Sequence, residues 1–327
     1  MGDDHGLMPL GRTGLAISRV GIGTWAIGGG NWPYGWGDQD DAESIAAIHR
    51  AVELGATWID TAAVYGLGHA ETIVGRAIKD LDKRPYIFTK TGRVADGAGG
   101  ITGSLKRDSV MREVEQSLAR LGVEAIDVYQ LHWPDPAEEI DEGWTTCVDL
   151  KRQGMVRHIG VCNFNIEQLE RISKIAEPET LQPPYSLLQR EAEHQLLPFA
   201  RDHEIGVIVY SPMGSGLLTG AMTRQRIESL PPNDWRSSDS AFRDPELSRS
   251  LEIAAKLQKI AARVGTAPAA LAVAWTLANP AVSGAIAGFR RPDQVTPVMT
   301  AATLHLSREL AAEISGLDEQ NADHSAP

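Results

Sequence analysis

Four side chains that could carry out acid–base chemistry follow short apolar runs in the sequence. Asp60 ends one such run, and Tyr65 follows it five residues later. Lys90 ends the next run and His132 follows the one after that. If these runs are consecutive parallel strands, their carboxyl ends meet at one edge of the sheet. The sequence therefore predicts that an acid, a phenol, an ammonium and an imidazole converge on one site.

This set of side chains suits proton transfer to or from a substrate oxygen. A free phenol has a pKa of about 10 and is a weak acid at neutral pH. An ammonium from Lys90 would stabilise the phenolate and is expected to lower the pKa of Tyr65. Asp60 can supply the counter-ion that a buried lysine needs, and His132 can orient a substrate oxygen. The set fits carbonyl reduction, in which hydride adds to carbon while Tyr65 protonates oxygen, or the reverse oxidation.

Each of these residues also has a simpler structural interpretation. Asp60 could cap a loop, Lys90 could lie on the surface, and His132 could be a core histidine bonded to backbone. The occurrence of four compatible groups at consecutive strand ends favours a catalytic site over these readings. His158, in the middle of a later strand, is predicted to be structural.

Strand and helix patterns alternate along the chain with short connections, which predicts a parallel sheet. About eight such units predict an α/β fold, a (β/α)8 TIM barrel, with an N-terminal β-hairpin over Met8–Ser18. Extra helices are predicted near Ser248–Val264 and Ser307–Leu317. The predicted barrel strands are Val20–Gly23, Thr57–Ile59, Ile87–Thr89, Ile126–Leu131, Val156–Val161, Leu181–Gln182, Val207–Tyr210 and Ala285–Ala287.

Residues 1–327 are interpreted as one barrel domain, ordered over about 7–317, with a disordered tail at 321–327. The segment Met222–Leu247 is predicted to be a long loop without secondary structure. Loops of this length commonly bind ligands, so a substrate or cofactor loop is favoured.

Composition excludes several classes of function. The 327 residues include 43% apolar and 23% charged residues, as in ordinary globular proteins. A net charge of −12 argues against binding to nucleic acid or an anionic membrane. Cys147 and Cys162 form no C-x-x-C pair, so neither zinc nor a disulfide framework is expected. No apolar run approaches a membrane span and the N-terminus is acidic and polar, so a cytoplasmic protein is expected.

The chain resembles the aldo-keto reductases over nearly its full length, and it looks closest to bacterial NADPH-dependent stress-type members. The motifs that carry the resemblance are Gly23-Thr24-Trp25, Asp60-Thr61-Ala62-Ala63-Val64-Tyr65-Gly66, Leu131-His132-Trp133-Pro134-Asp135, Gly160-Val161-Cys162-Asn163-Phe164, Gln182-Pro183-Pro184-Tyr185-Ser186-Leu187-Leu188, and Tyr210-Ser211-Pro212 with Gly216-Leu217-Leu218-Thr219-Gly220.

The resemblance implies an enzyme that uses NADPH, without metal or flavin, on a small carbonyl or alcohol. It implies Asp60, Tyr65, Lys90 and His132 as the catalytic tetrad, with Tyr65 as the general acid or base. The cofactor-binding residues that it implies are Gly23, Thr24, Trp25, Asp60, Cys162, Asn163, Gln182, Tyr210, Ser211, Pro212, Met213, Gly214, Gly216, Leu217, Gly288, Arg290 and Gln294.

Among these, Asn163 and Gln182 would hydrogen-bond the nicotinamide amide, and Tyr210 would stack on its ring. Arg290 and its neighbour Arg291 suit the 2′-phosphate of NADP, because guanidinium groups bind phosphate with paired hydrogen bonds. The sequence departs from the family pattern at three places: Cys162 replaces the usual serine, Ala287-Gly288-Phe289 replaces the usual Pro-Gly-Ala, and Val298 replaces an asparagine.

Aromatic residues are expected to form the substrate pocket. They are Trp25, Trp32, Tyr34, Trp133 and Trp235, together with Trp36 and Phe242. Trp32 and Trp36 lie in a Gly/Pro-rich loop, where burial in a core is not expected. Such a cluster favours bulky apolar or ring-containing carbonyl compounds.

Two other functions are compatible with parts of the pattern. Potassium-channel β-subunits keep a similar cofactor site and act as regulators. A different barrel enzyme is the second alternative: Lys90 could form a Schiff base in an aldolase, and His132 could belong to a metal hydrolase. A metal hydrolase, however, needs several histidines at the rim of the barrel.

Overall fold

A closed barrel of eight parallel strands lies at the centre of the protein. The computed structural model describes residues 6–317, so the predicted disordered tail at 321–327 lies outside the described residues. In chain order the strands are β1 (Met8–Pro9), β2 (Ala16–Ile17), β3 (Val20–Gly23), β4 (Trp58–Asp60), β5 (Tyr86–Thr91), β6 (Arg93–Ala95), β7 (Ile101–Gly103), β8 (Ile126–Leu131), β9 (Val156–Cys162), β10 (Thr180–Gln182), β11 (Gly206–Val209) and β12 (Val282–Gly288).

The barrel strands follow the order β3-β4-β5-β8-β9-β10-β11-β12, and β12 pairs back onto β3. The predicted (β/α)8 barrel is therefore confirmed. β1 and β2 pair as the expected antiparallel hairpin.

Helices separate the barrel strands and cover them. They are α1 (Asp41–Glu53), α2 (His69–Lys79), α3 (Arg107–Leu121), α4 (Ile140–Arg152), α5 (Ile166–Ser173), α6 (Leu196–Asp202), α7 (Arg224–Glu228), α8 (Glu246–Val264), α9 (Pro268–Leu277), α10 (Val295–Met299) and α11 (Arg308–Ser315). Local sequence sets several boundaries: the Asp40 carboxylate caps α1, and Asn165 with Gln168 forms a capping box on α5. The extra helices predicted near 248–264 and 307–317 are α8 and α11.

The interior of the barrel is filled with large side chains, as in other barrels of this type. Trp58 and Phe88 stack there with ring centroids 5.1 Å apart. The indole nitrogen of Trp58 donates to the backbone oxygen of Ser18 at 2.9 Å. Leu10 and Ile17 from the hairpin pack against the same cluster. The hairpin thus closes the end of the barrel where the strands begin and leaves the opposite end for a site.

Helix α9 and the β6–β7 hairpin were not predicted. All residues of α9 after Pro268 are buried, so the helix lacks the amphipathic period that sequence patterns reveal. Among residues 6–317, no single helix is long and apolar enough to cross a membrane. Only α8 and α9 taken together reach that length and composition, with a 94° bend between them.

The segment 222–247 was predicted to have no secondary structure, and that prediction is wrong. It contains α7 and two short 3-10 turns, Trp235–Ser237 and Ser240–Phe242. Side-chain oxygens of Thr223, Asp234 and Asp239 accept hydrogen bonds from backbone N–H groups at the starts of these elements. Such local caps stabilise short turns that apolar periodicity does not detect.

The packing around Trp58 yields a stability prediction. A Cβ added at Gly21 would lie 2.1 Å from the Trp58 ring. We expect Gly21→Ala to lower the free energy of unfolding by about 1–3 kcal/mol, because overpacking displaces the tryptophan. Urea unfolding of the variant and of wild type measures this change.

Gly316→Ala is the matched control, because its added Cβ would have ordinary contacts of 3.6 Å and longer. Equal unfolding midpoints for Gly21→Ala and Gly316→Ala would contradict the described packing of the barrel interior.

Candidate active site

The structure brings the four candidate catalytic side chains together at the carboxyl end of the barrel. Asp60 ends β4, Lys90 lies near the end of β5, and His132 directly follows β8. The Lys90 Nζ lies 2.5 Å from Asp60 Oδ1 and 3.4 Å from the Tyr65 hydroxyl. The rings of Tyr65 and His132 meet edge to face with centroids 5.7 Å apart.

Tyr65 is positioned by a turn rich in glycine. Gly66, Leu67 and Gly68 all have positive φ angles, which reverse the chain directly after Tyr65. The backbone of Gly28 packs against this turn, and a Cβ at Gly28 would lie 2.7 Å from the nitrogen of Gly66. The first loop therefore contacts the turn that orients the phenol.

Lys90 is enclosed in the protein and its ammonium is satisfied by oxygen acceptors. Besides Asp60 and Tyr65 it donates to the backbone oxygen of Thr61 at 3.0 Å. Gln182 donates to the second oxygen of Asp60 at 2.8 Å. Burial disfavours the ammonium, but the charge of the Asp60 carboxylate opposes it and the pKa of Lys90 is raised. Burial also raises the pKa of Asp60, and the charge of Lys90 and the hydrogen bonds from Lys90 and Gln182 oppose that effect. The 2.5 Å contact between Nζ and Oδ1 has the geometry of an ion pair.

Lys90 lowers the pKa of Tyr65 as expected, but the net shift of that pKa is upward. Burial raises the pKa of Tyr65 to about 12, and the opposing charge of Lys90 does not outweigh that effect. The desolvation cost of a phenolate in this enclosed site is the dominant cause. At neutral pH Tyr65 is therefore a protonated hydroxyl that can donate a hydrogen bond or a proton.

His132 is held in its neutral form. Burial lowers its pKa well below the ordinary value, and the positive charges of Lys90 and Arg93 add to this effect. Its backbone oxygen accepts a hydrogen bond from the Asn163 amide at 3.0 Å. A neutral imidazole beside Tyr65 offers one N–H donor to a substrate oxygen.

A cavity of about 1030 Å³ opens above these residues and extends across the mouth of the barrel. Most of the residues expected to bind a cofactor line it. These are Gly23, Thr24, Trp25, Asp60, Cys162, Asn163, Gln182, Tyr210, Ser211, Pro212, Met213, Gly216, Gly288, Arg290 and Gln294.

Gly214 and Leu217 are not among the residues that line the cavity, and their predicted contact with a cofactor stays a prediction. Leu217 is 3% exposed and packs with Met222 and Phe242 in a separate apolar cluster. A Cβ at Gly214 would meet the side chain of Leu188. Both residues support the neighbouring turn, in which Ser215 and Gly216 have positive φ angles.

At the inner part of the cavity two amide side chains lie close to a tyrosine. The Tyr210 hydroxyl donates to the Asn163 side-chain oxygen at 2.8 Å. The Cys162 thiol lies 3.7 Å from the Gln182 side-chain oxygen. Burial raises the pKa of this thiol, so Cys162 is a neutral thiol at physiological pH.

The guanidinium of Arg290 is hydrogen-bonded within the protein and is not simply solvated. Its guanidinium donates to the Gln39 side chain at 2.6 Å and to the backbone oxygen of Trp36 at 2.9 Å, and it also contacts the backbone oxygen of Asp38. Arg291 pairs with Asp293 at 3.1 Å. Arg290 therefore ties the end of β12 to the first loop.

The predicted aromatic wall is present, but two members are placed differently. Trp25 stacks on Trp235 with centroids 5.1 Å apart, and Trp36 packs edge-on against Trp25. Trp32 is 7% exposed and packs with Ala62 and Val64, so the expectation that it would not be buried is wrong. Phe242 belongs to the apolar cluster of Leu217 and does not line the cavity.

Tyr34 and Trp133 line the cavity with 51% and 41% of their surfaces exposed. They lie at its outer edge as expected for residues that meet an incoming ligand.

Some cavity residues were not identified from the sequence. Arg236 forms a buried pair with Asp234 at 2.6 Å, and its guanidinium lies 4.3 Å from the centre of the Trp36 ring. The backbone N–H of Trp235 donates to the backbone oxygen of Gly35 at 2.8 Å. The contacts with Trp36 and Gly35 join segments about two hundred residues apart in the sequence, which no local pattern reveals. Arg93 also lines the cavity.

Within residues 6–317, no group of three or more histidine, cysteine, aspartate or glutamate side chains is arranged to hold a metal ion.

Comparison with known proteins identifies one family. The model of the aldo/keto reductase family matches residues 19–319. The aldo-keto reductase YhdN of Bacillus subtilis is 39% identical over 80% of this chain and 78% of its own length. The NADH-specific methylglyoxal reductase of Escherichia coli is 34% identical over 92% of this chain and 94% of its own.

Solved structures agree. A glycerol dehydrogenase from Gluconobacter oxydans is similar with a TM-score of 0.86 and 35% identity, over 99% of this chain and 98% of its own. An aldo/keto reductase from Klebsiella pneumoniae, in complex with NADP and acetate, has a TM-score of 0.71 and 25% identity, over 95% and 94% of the two chains.

The buried ion pair yields a prediction for stability. Lys90→Met removes the ammonium and leaves the Asp60 carboxylate buried without its counter-ion. We expect the free energy of unfolding to fall by about 3–5 kcal/mol, as when one partner of a buried pair is removed. The double variant Lys90→Met with Asp60→Asn should recover part of that loss. Urea unfolding of wild type, the two single variants Lys90→Met and Asp60→Asn, and the double variant measures the non-additivity.

Arg201→Ala is the control, because Arg201 and Asp202 form a pair whose side chains are 60% and 65% exposed. Little change is expected there. A loss for Lys90→Met no larger than for Arg201→Ala would contradict the ion pair.

Proposed function

Because the chain belongs to the aldo/keto reductase family, we propose that it is an NADP-dependent oxidoreductase that interconverts a small carbonyl compound and its alcohol. The observation that carries the proposal is the buried Lys90 ammonium, which lies 3.4 Å from the Tyr65 hydroxyl and 2.5 Å from Asp60. Asp60 and Tyr65 line the cavity. A buried ammonium beside a protonated phenol is suited to donating a proton to a carbonyl oxygen and stabilising the anion left behind.

In this proposal Tyr65 is the general acid in reduction and the general base in oxidation. Its high pKa keeps the proton on the hydroxyl until a carbonyl oxygen develops negative charge. His132, which is neutral, donates an N–H hydrogen bond to the same oxygen and orients it. Lys90 then stabilises the tyrosinate, and Asp60 keeps Lys90 in place. In oxidation the proton moves from the alcohol to Tyr65.

The residues of the cavity fit a nicotinamide dinucleotide. Asn163 and Gln182 offer amide donors and acceptors, and Tyr210 offers a flat apolar face. Gly216, with a φ of 101°, has no side chain to keep a phosphate from the backbone. When bound, such a cofactor supplies the hydride for reduction or takes it up in oxidation. The residues named here bind and orient it beside Tyr65.

The preference for NADP rests on Arg290 and Arg291. Two adjacent guanidinium groups at the edge of the cavity suit a phosphate on the adenosine ribose. The Klebsiella pneumoniae structure contains NADP, whereas the Escherichia coli relative is named as NADH-specific. Family membership therefore leaves the choice to individual residues, and these two arginines favour NADP.

The aromatic wall supports a substrate with a ring or another bulky apolar group. Trp25 lies between Trp235 and Tyr65, with the Tyr65 centroid 6.4 Å away. A planar apolar substrate could contact this wall while its carbonyl reaches Tyr65 and His132. Faster turnover of short aliphatic aldehydes than of benzaldehydes would contradict this part of the proposal.

Tyr65→Phe tests the catalytic role. Removing the hydroxyl should lower kcat/KM for benzaldehyde by a factor of about 10²–10⁴, the usual contribution of general acid catalysis. NADPH binding, followed by quenching of tryptophan fluorescence, should persist in the variant. Tyr86→Phe, which changes a tyrosine at the start of β5 away from the cavity, is the control. If wild type binds NADPH but shows no turnover that depends on Tyr65, a regulatory role of the channel-subunit type is favoured instead.

Arg290→Ala and Arg291→Ala test the choice of cofactor. Loss of a guanidinium that binds the 2′-phosphate should weaken NADPH binding by about tenfold or more and leave NADH binding little changed. Because Arg290 also holds the first loop, its variant could weaken both cofactors. An equal loss for NADPH and NADH in both variants would contradict a phosphate site at this position.

A further inference from the structure

Arg93 places a positive charge at the substrate end of the cavity. It is the first residue of β6, directly after the strand that carries Lys90, and it lines the cavity. Its guanidinium lies over the ring of Trp133, 5.6 Å from the centroid. The tetrad chemistry described above does not need this residue, so its presence calls for a separate explanation.

Most N–H donors of the Arg93 guanidinium make no hydrogen bond within residues 6–317. Within residues 6–317 its only hydrogen bond is from Nη1 to Asp135 Oδ2 at 2.7 Å. A guanidinium has five N–H donors and can hold a carboxylate with two of them. Its contact with the Trp133 ring restricts the guanidinium, which reduces the entropy lost when a ligand binds.

The bond from Arg93 to Asp135 is one that a ligand can replace. The side chain of Asp135 is 55% exposed, whereas that of Arg93 is only 21% exposed. Ion pairs with so exposed a partner contribute little to stability. Exchange of one carboxylate for another at Arg93 would therefore be nearly balanced, and contacts of the ligand elsewhere in the cavity would favour the exchange.

The positive charge of Arg93 acts on His132, one of the groups proposed to bind the reacting oxygen. It is one of the two positive charges that, together with burial, lower the pKa of His132. The other, Lys90, is already paired with Asp60 at 2.5 Å. Of these two positive charges, only Arg93 has an exposed counter-ion, Asp135. A ligand carboxylate can therefore replace the counter-ion of Arg93 more easily than that of Lys90.

We propose that Arg93 binds a carboxylate of the substrate, displacing Asp135, so that the enzyme prefers carbonyl compounds that also carry a carboxylate group. This inference rests on the proposed function and narrows its substrate class. The carbonyl would lie at Tyr65 and His132, the apolar body of the substrate along the aromatic wall, and the carboxylate at Arg93. Arg93 is then a residue that determines specificity.

The test compares a charged aldehyde with its uncharged methyl ester. 4-Carboxybenzaldehyde and methyl 4-formylbenzoate share the ring and the reacting carbonyl. With NADPH and the full chain, wild type should show a higher kcat/KM for the acid than for the ester, chiefly through a lower KM. In Arg93→Gln the acid-to-ester ratio should fall by about tenfold or more, the loss expected when a charged hydrogen bond is removed.

Two further variants separate this role from a structural one. Arg93→Lys keeps the charge but not the paired donors, so it should restore part of the ratio. Arg107→Gln, which removes an exposed arginine paired with Asp149 outside the cavity, should leave the ratio at its wild-type value. Raising the salt concentration should reduce the preference of wild type for the acid.

A binding measurement keeps the proposal testable without turnover. The quenching of tryptophan fluorescence by 4-(hydroxymethyl)benzoate, the product of the acid, should weaken in Arg93→Gln by a similar factor. If wild type reduces neither aldehyde but this binding depends on Arg93, the proposed reaction fails and the carboxylate site stands. A wild type that prefers the ester, or an acid-to-ester ratio and product binding that are unchanged in Arg93→Gln, would overturn the carboxylate site.

Discussion

A buried ammonium is costly, and the mouth of this barrel is built around one. Lys90 is 1% exposed, and removing its charge from water is tolerated only because Asp60 lies 2.5 Å away. Asp60 in turn accepts from Gln182, and the backbone oxygen of Thr61 also accepts from Lys90. These contacts join the ends of β4, β5 and β10. The requirement to satisfy one charge thereby aligns three strands and brings Lys90 to Tyr65.

The same burial decides the protonation of the groups beside the ion pair. It raises the pKa of Tyr65 and lowers that of His132, because in both residues the neutral form is easier to bury. The two side chains that are proposed to bind the substrate oxygen are therefore both neutral hydrogen-bond donors near pH 7. The ammonium does not make the phenol acidic in the resting site. Its role in the proposed reaction is to stabilise the tyrosinate once the proton has left.

The floor and the walls of the cavity are built in different ways. The floor consists of strand ends that the barrel holds in register. The walls come from loops that contact one another. The backbones of Trp36 and Asp234 form an isolated antiparallel β-bridge, and the ring of Trp25 stacks on that of Trp235. Arg290 adds a third connection from β12 to the first loop. This division places the proposed chemistry on a rigid part of the fold and leaves the choice of cofactor and substrate to side chains on loops.

The sequence by itself determined the barrel and the carboxyl-end position of the polar residues, because strand and helix periods are local properties. Its resemblance to the aldo-keto reductases identified many of the residues that line the cavity. Only the tertiary structure decided that burial outweighs Lys90 at Tyr65, since desolvation depends on every element packed around the phenol. It also decided that Trp32 is buried, that Leu217 packs in an apolar cluster, and that α9, which is buried at every position after Pro268, is a helix in the core. The contacts of Arg93 and Arg290 likewise depend on loops that meet only after the barrel has closed.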